Sequence, residues 1–387
     1  MAELIAMLEG DGSLGALRNG WVQHPSGFGI RLESGMLAFA LIRVVLNGGS
    51  SDEFLERARQ FADSCTGAAA SYIPLTGVSV KQTACLDDSV DLIPWSEVPS
   101  SWHKDQFEEQ QAHHTPLGPT AIYSQFRPYA TAAIRVRMSD SQILFSSAKD
   151  AKLLDATRSY RASAQVSIVR DVLRCLTALK ACPIAEIGRW DQFDDGFVNN
   201  IASGGVGTSL ASMFDMALGQ SSRAPIEICP RDISLLYKKF RTMKSKEVAV
   251  LRIALDRLRQ ATMRSDLVDR AIDLGIVLEV MLLHDNDRNP RGEFRFRTAV
   301  RGATFLGGNK LERQKTYQLL KKAYDLRSTA VHSGVIEAKK QAATPTKQIL
   351  RDVADKCSQI ASTLIDNGSF PNWEEDYVIG GDGAVTQ

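Results

Sequence analysis

The segment from Asp269 to Leu283 constrains the fold of this chain more than any other, because it is apolar on nearly all sides. Its Ile, Leu, Val and Met residues do not follow a single stripe, which is typical of a helix that is buried all round. A helix of this kind must be surrounded by other elements. We therefore predict that it is the central helix of a bundle formed by the C-terminal part of the chain.

The sequence around this segment supplies further helices for such a bundle. Apolar residues at helical spacing predict helices within 233–258, before the central one. After it, a helix over Glu293–Leu306 is predicted to stop at Gly307, because glycine favours the left-handed conformation that follows a helix. The next predicted helix runs from Leu311 to Val331, and the last from Thr346 to Ile365.

The N-terminal part of the chain has a mixed pattern. Short segments with β-branched residues, bounded by Gly, Asp and Pro, predict strands over Ser71–Val80, Ser89–Ile93 and Tyr129–Met138. Helices are predicted from Ser139 to about Thr157 and from Gln165 to Ala181.

Together these patterns predict an α+β chain, with a mixed α/β N-terminal domain followed by an all-α bundle. Pro225 and Pro230 lie where the mixed strand and helix pattern gives way to an almost purely helical one, which favours a domain boundary there. We accordingly predict two domains, over residues 1–225 and 226–387.

Composition excludes several classes of protein. The 46 Lys and Arg residues nearly balance the 45 Asp and Glu residues, so any nucleic-acid role requires a local basic patch. The six cysteines form no Cys-x-x-Cys pair, which argues against a disulfide framework or a zinc site and favours a reducing compartment. The longest apolar segment, Gly35–Leu46, is too short to span a bilayer and is interrupted by Arg43. We expect a cytoplasmic protein without a membrane partner.

Arg327 and His332 are the strongest candidates for chemistry. Arginine presents a permanent charge and a planar set of donors that suits phosphate oxygens, and histidine exchanges a proton near neutral pH. Positions i and i+5 of a helix lie about 140° apart, so the two side chains need not share a face. Either the helix ends or bends near His332, or two chains assemble the site. The alternative is that both are ordinary surface residues of a packed helix.

A locally basic segment surrounds this pair. Arg297 and Arg301 lie four residues apart and are predicted to share a helix face that suits a phosphate backbone. The alternative is a solvated charged face in which Glu279 or Glu312 pairs with an arginine.

Three blocks of this region, in this order, resemble the HEPN superfamily, in particular its Apea-like branch. They lie within Asp273–Glu279, Phe296–Gly307 and Lys321–Gly334, and the resemblance covers roughly residues 232–380. It implies an all-α bundle that dimerises, so that two Arg-x4-His motifs meet in a composite cleft. It also implies endoribonuclease activity without a metal or other cofactor, often in toxin–antitoxin or anti-phage defence.

On this resemblance, Arg327 and His332 match the catalytic pair, and Ser328 stands where many active members have Asn, Asp or His. The remaining expected site residues are supporting ones: Arg297 and Arg301 to position RNA, Tyr324, and Glu279 paired with Arg297 or Arg301.

The expected partners are RNA, with a tRNA-like loop favoured, and a second copy of the chain. An antitoxin or a phage-derived trigger is expected at the N-terminal domain. The alternative is a non-catalytic HEPN module that dimerises and binds RNA or protein.

Overall fold

A computed structural model describes residues 1–23, 29–113, 129–146, 155–201, 224–284, 293–336, 345–373 and 375–376. Its packing divides the chain into two compact units. The first consists of residues 1–76, 87–169 and 186–210, and the second of residues 77–86, 170–185 and 211–387. The units follow packing rather than chain order, whereas the boundary predicted from the sequence is a single cut at residue 225.

The strands and helices have the following bounds. The strands are β1 (Trp21–Gln23), β2 (Gly29–Arg31), β3 (Thr66–Thr76), β4 (Val78–Ser79), β5 (Ala84–Cys85), β6 (Val90–Pro94), β7 (Ala132–Gln142), β8 (Leu144–Phe145), β9 (Ala185–Glu186), β10 (Trp190–Phe193) and β11 (Ile226–Glu227). The helices are α1 (Ala2–Gly10), α2 (Gly15–Arg18), α3 (Ser34–Leu46), α4 (Ser51–Ser64), α5 (Trp102–His113), α6 (Asp155–Leu179), α7 (Gly196–Ile201), α8 (Pro230–Thr242), α9 (Ser245–Met263), α10 (Leu267–Leu282), α11 (Phe294–Leu306), α12 (Lys310–Ser333) and α13 (Thr346–Asn367).

An antiparallel sheet with the strand order β10-β3-β7-β6 forms the framework of the first unit. A second sheet, β2-β1-β8, lies in the same unit. Helices α1, α3, α4 and α7 contribute to a hydrophobic core in which Leu8, Leu41, Phe61 and Phe197 are buried.

The helix predicted from Ser139 to about Thr157 is wrong over its first residues. Residues 147–154 lie outside the described ranges, and Asp155–Thr157 belong to α6. Residues up to Gln142 belong to β7, where Gln142 is the partner of Thr66 in β3. Leu144 then pairs with Val22 of β1 in the second sheet. Because Ile143 and Leu144 are buried between paired strands, their backbone hydrogen bonds are made across the sheets, and this tertiary context overrides the apolar spacing.

The helices of the second unit form a bundle, and α10 is its central helix, as predicted. It packs against α9, α11, α12 and α13. Apolar side chains on several sides of α10 are buried, including Leu274, Val277, Leu278 and Met281. Parallel strands β4 and β11 pair beside the helices within the same unit.

Helix ends in the bundle follow their capping residues. Helix α11 ends at Leu306, and the left-handed Gly307 (φ 67°) confirms the predicted stop. Helix α12 begins with a capping box in which Asn309 and Glu312 each accept a hydrogen bond from the other's backbone N–H. Helix α13 ends before the left-handed Gly368.

The architecture is therefore α+β, with the two antiparallel sheets in the N-terminal region and the helical bundle in the C-terminal part, as predicted. Over the ranges that the structure describes, no helix is both long enough and apolar enough to cross a membrane. All six cysteines lie in the described ranges, and none of them forms a disulfide bond.

Candidate active site

Helix α12 carries both members of the candidate pair. It runs without interruption from Lys310 to Ser333, and only then does Gly334 (φ 66°) end it. Arg327 and His332 are therefore both helical, and their side chains leave the helix about 140° apart. An end or bend before His332, one of the two explanations drawn from the sequence, is not present. His332 is exposed in the last turn, whereas Arg327 is partly buried.

Gly275 of α10 makes the space in which the stem of Arg327 lies. A Cβ atom added at Gly275 would overlap Cγ of Arg327, and it would lie 3.0 Å from Cβ and 3.3 Å from Cδ of the same side chain. Both helices approach closely here because the glycine has no side chain. The arginine stem is thus confined between two helices of the bundle.

Glu279, one turn further along α10, binds the guanidinium of Arg327. Its two carboxylate oxygens lie 3.3 Å from Nη2 of Arg327. The sequence-based pairing of Glu279 with Arg297 or Arg301 is therefore wrong. Residues i and i+4 of a helix share a face, so Gly275 and Glu279 form one surface of α10 along which the arginine extends.

The Arg327–Glu279 contact is loose and incomplete. Its distance of 3.3 Å exceeds the roughly 2.7–2.9 Å that is usual for a charge-assisted hydrogen bond. Nε of Arg327 is buried and has no hydrogen-bond partner among the described residues. Burial raises the pKa of the Glu279 carboxyl above its ordinary value, and the nearby charge of Arg327 opposes that rise.

Tyr324 and Ser328 flank the arginine on α12. The Tyr324 ring centre lies 5.8 Å from Cζ of Arg327, within the range of a cation–π contact. Ser328 is half-buried. Both residues therefore lie beside Arg327, as expected from neighbouring positions on one helix.

Arg301 differs from its predicted role. It is only 4% exposed, and Nη1 donates a 2.7 Å hydrogen bond to the backbone carbonyl of Leu282. Its guanidinium carbon also lies 5.5 Å from the ring centre of Trp373. A buried arginine committed to a carbonyl at the end of α10 supports the bundle and does not present a face to RNA. Arg297 is half-buried and takes part in further interactions, so the two arginines do not form an exposed pair.

The basic character of α12 is a property of the folded surface as well as of the sequence. The helix contains six Lys or Arg residues against two carboxylates. Both carboxylates are engaged: Glu312 accepts the capping hydrogen bond of Asn309, and Asp325 binds Arg295 at 2.6 Å. The described carboxylates include none within ion-pair distance of five cations of this helix, which are Lys310, Arg313, Lys315, Lys321 and Lys322.

These groups have the properties that phosphate chemistry needs. A held and partly exposed guanidinium can stabilise a developing phosphate charge, and an exposed histidine can exchange protons with an incoming hydroxyl. Across the described part of the chain, no group of three or more His, Cys, Asp and Glu side chains is placed to hold a metal ion.

Sequence reasoning missed Gly275 and Phe296 as functional candidates. Gly275 interrupts an otherwise apolar helix, and an isolated glycine at such a position is a recognised sign of close packing. Phe296 stands between two arginines at the start of α11 and is 51% exposed. An aromatic residue among cations is a pattern that favours nucleic-acid contact.

Comparison with known proteins adds no relative. No protein-family model matches the chain, and neither a curated protein nor a solved structure is significantly similar to it.

Proposed function

We propose that this protein is an endoribonuclease of the HEPN type, and that α12 carries its catalytic pair. The observation that carries the proposal is the state of Arg327. Its stem is confined by Gly275, its guanidinium is directed by Glu279, and 27% of its side chain remains exposed. The three blocks of sequence that resemble the HEPN superfamily include each of these residues.

In the proposed reaction, a ribose 2′-hydroxyl attacks the adjacent phosphorus, and the bond from phosphorus to the 5′-oxygen breaks. His332 accepts the proton of the 2′-hydroxyl or donates one to the leaving oxygen. Arg327 stabilises the charge that develops on the phosphorane. The products carry a 2′,3′-cyclic phosphate and a 5′-hydroxyl, and the step requires no metal or other cofactor.

The active form in this proposal is a homodimer. The roughly 140° between Arg327 and His332 supports it, because one helix cannot direct both side chains at a single phosphate. Two copies of α12 that face each other would place Arg327 and His332 from each subunit in a shared cleft. The working site then depends on His332 of both subunits.

The remaining parts of the proposal concern biological context. A toxin or anti-phage role in the cytoplasm follows from the same resemblance, with a tRNA-like loop as the favoured substrate. The N-terminal unit would receive an antitoxin or a phage-derived trigger, because an unrestrained ribonuclease damages its own cell.

A second candidate function is a non-catalytic module that dimerises and binds RNA or protein. The divergence of Arg327 and His332 within one subunit favours it, since an isolated subunit lacks a complete pair. The residue after the arginine also supports it, because Ser328 stands where many active members carry Asn, Asp or His.

Controlled expression separates the two candidates. Wild type, His332→Ala and Arg327→Ala are each expressed from an inducible promoter, and growth and total RNA integrity are followed. Nuclease activity predicts RNA fragments and slowed growth with the wild type only. Gln318→Ala is the matched control, because Gln318 is exposed on the same helix and outside the proposed site.

The contrary result is equally clear. Equal effects of wild type and His332→Ala on growth, or intact RNA with every variant in the presence of phage infection, would exclude the nuclease and favour the binding module.

A further inference from the structure

A line of one exposed and two half-buried aromatic rings leads towards the candidate site. Phe296 of α11 is 51% exposed, and its ring meets the edge of the half-buried Tyr317 ring at a centroid distance of 6.5 Å and an angle of 77°. Tyr324 lies seven residues after Tyr317 on α12. Seven residues are almost two full turns, so the two tyrosines lie within about 20° of one face and about 10 Å apart along the axis.

The position of Tyr324 connects this line to the proposed chemistry. Around the axis of α12, Tyr324 lies roughly 60° from Arg327 and roughly 80° from His332, on the arc between them. An RNA strand that follows the two tyrosines along the helix therefore arrives between the two proposed catalytic groups. A purely structural role for the rings would not require this alignment.

Cations accompany the rings. Nζ of Lys321 lies 5.5 Å from the centre of the Tyr317 ring, and Cζ of Arg327 lies 5.8 Å from the centre of the Tyr324 ring. Glu279 pairs with Arg327 at 3.3 Å, and Asp325 of α12 is paired with Arg295 at 2.6 Å. The line thus combines flat aromatic rings with the charge of Lys321, which has no described carboxylate within ion-pair distance.

We propose that Phe296, Tyr317 and Tyr324, together with Lys321, form a track that binds unpaired RNA bases by stacking and positions the strand for cleavage. This inference rests on the proposed function and specifies its substrate as single-stranded RNA. Aromatic rings interleaved with cations are the usual surface for single strands, because every base has a face that can stack and every linkage carries a negative charge.

Double-stranded RNA does not fit this surface. The bases of an A-form helix are stacked on one another, and duplexes are recognised by their shape through 2′-hydroxyl and phosphate contacts. A row of rings gains nothing from such a duplex. The track therefore predicts discrimination between strands and duplexes that the basic charge of α12 alone would not produce.

Binding in a cleavage-deficient protein tests the track separately from the chemistry. The His332→Ala protein is titrated into a single-stranded RNA of 15 nucleotides that contains 2-aminopurine, and into the same RNA paired with its complement. In this background, Phe296→Ala and Tyr317→Ala are each expected to weaken single-strand binding about tenfold, the loss of roughly one base stack. Phe296→Trp, which keeps an aromatic ring at this position, is expected to bind the single strand as the parent does. The affinity of each variant for the duplex is expected to equal that of the parent.

Leu311→Ala is the matched control, because Leu311 is an exposed apolar residue of the same helix that lies outside the track. Its binding should equal that of the parent. The track is excluded if Phe296→Ala binds the single strand as the parent does, or if it loses single strand and duplex equally. A wild-type protein that binds single strands through these rings but cuts no RNA would instead exclude the nuclease and leave the track intact.

Discussion

Two arginine–carboxylate clusters in the second unit use the same chemical groups in opposite ways. In the first, Asp171 of α6 is fully buried and binds Arg174 at 2.7 Å and Arg252 at 2.7 Å. Arg174 also forms two hydrogen bonds to Asp256, at 2.9 and 2.7 Å. In the second, Arg327 reaches a single carboxylate at 3.3 Å, and both side chains are more than a quarter exposed.

The two arginines differ in how many hydrogen bonds they make to carboxylates. Burial would lower the pKa of Arg174, but its hydrogen bonds to Asp256 and Asp171 outweigh that effect and raise it. An arginine held by two carboxylates in this way stabilises the fold and is not available to bind a ligand. Arg327 is confined by packing, but its side chain is 27% exposed and its ion pair is loose, which leaves it accessible for the phosphate contact that we propose. The comparison teaches that an arginine available for chemistry differs from a structural one in its exposure and in the number of carboxylates that bind it, since positive charge is common to both clusters.

The largest expected effect is on the buried cluster of Asp171, Arg174 and Arg252. Asp171→Ala leaves the almost buried Arg174 short of a partner, and removal of one member of a buried ion pair costs about 3–5 kcal/mol. Urea unfolding measures the loss. Asp256→Asn is the control, because Asp256 is 42% exposed and its replacement should cost at most about 1 kcal/mol. Equal losses for the two variants would contradict the distinction.

The next effect separates activity from stability. Arg327→Ala should lower the RNA cleavage rate about 10²–10³-fold, which is typical for the loss of one group that stabilises transition-state charge. Its free energy of unfolding should change by no more than about 1 kcal/mol, because the pair with Glu279 is loose and partly solvated. A stability loss as large as that of Asp171→Ala, with cleavage preserved, would place Arg327 among the structural arginines.

A smaller effect is expected when Arg327 is displaced without being removed. Gly275→Ala adds a methyl group where the arginine stem lies, so Arg327 must shift, and cleavage should fall about tenfold, as about 1 Å of misplacement in an active site commonly costs that much or more. Overpacking of this kind costs about 1–3 kcal/mol. Gly302→Ala is the matched control: its methyl group would overlap Leu320 and lie 3.2 Å from Leu282, away from Arg327. Identical cleavage by both variants would refute the positioning role of Gly275.

The smallest effect concerns pH. The pKa of Glu279 is raised above 4.5 in the folded protein, so the folded state holds the proton more tightly than the unfolded state does. Its contribution to stability is fully present below pH 4.5 and is lost as the pH rises through the raised pKa. Relative to Glu279→Gln, the wild type should therefore gain stability between pH 7.5 and pH 4.5 in urea unfolding. A difference that is constant, or that changes in the opposite direction, would show that the carboxyl is not desolvated.

Local patterns were sufficient for much of the fold. The central helix was predicted over Asp269–Leu283 and lies at Leu267–Leu282, because uniform apolarity is a property of one segment. The stop at Gly307 was predicted for the same local reason. The helix from Ser139 failed, because strand pairing with a segment over seventy residues away decides the conformation there.

The side chains that pair between helices could not be predicted from the sequence, because these pairs also depend on contacts between distant segments. Glu279 and Arg327 are 48 residues apart, and which arginine meets Glu279 depends on the rotation and spacing of α10 and α12. Helical periodicity gives the face of each helix but not its neighbour. Arg297 and Arg301 share an i, i+4 relation, yet only Arg301 is buried, because it lies where α11 meets the end of α10.

Purified protein incubated with a single-stranded RNA in excess EDTA tests the central claim most directly. The account predicts that the wild type cuts the RNA and leaves 2′,3′-cyclic phosphate and 5′-hydroxyl ends. It also predicts that His332→Ala cuts at least a hundredfold more slowly, the lower end of the roughly 10²–10⁴-fold contribution of a positioned acid or base. Cleavage that requires a divalent cation, ends that carry a 5′-phosphate, or an unchanged rate in His332→Ala would contradict it.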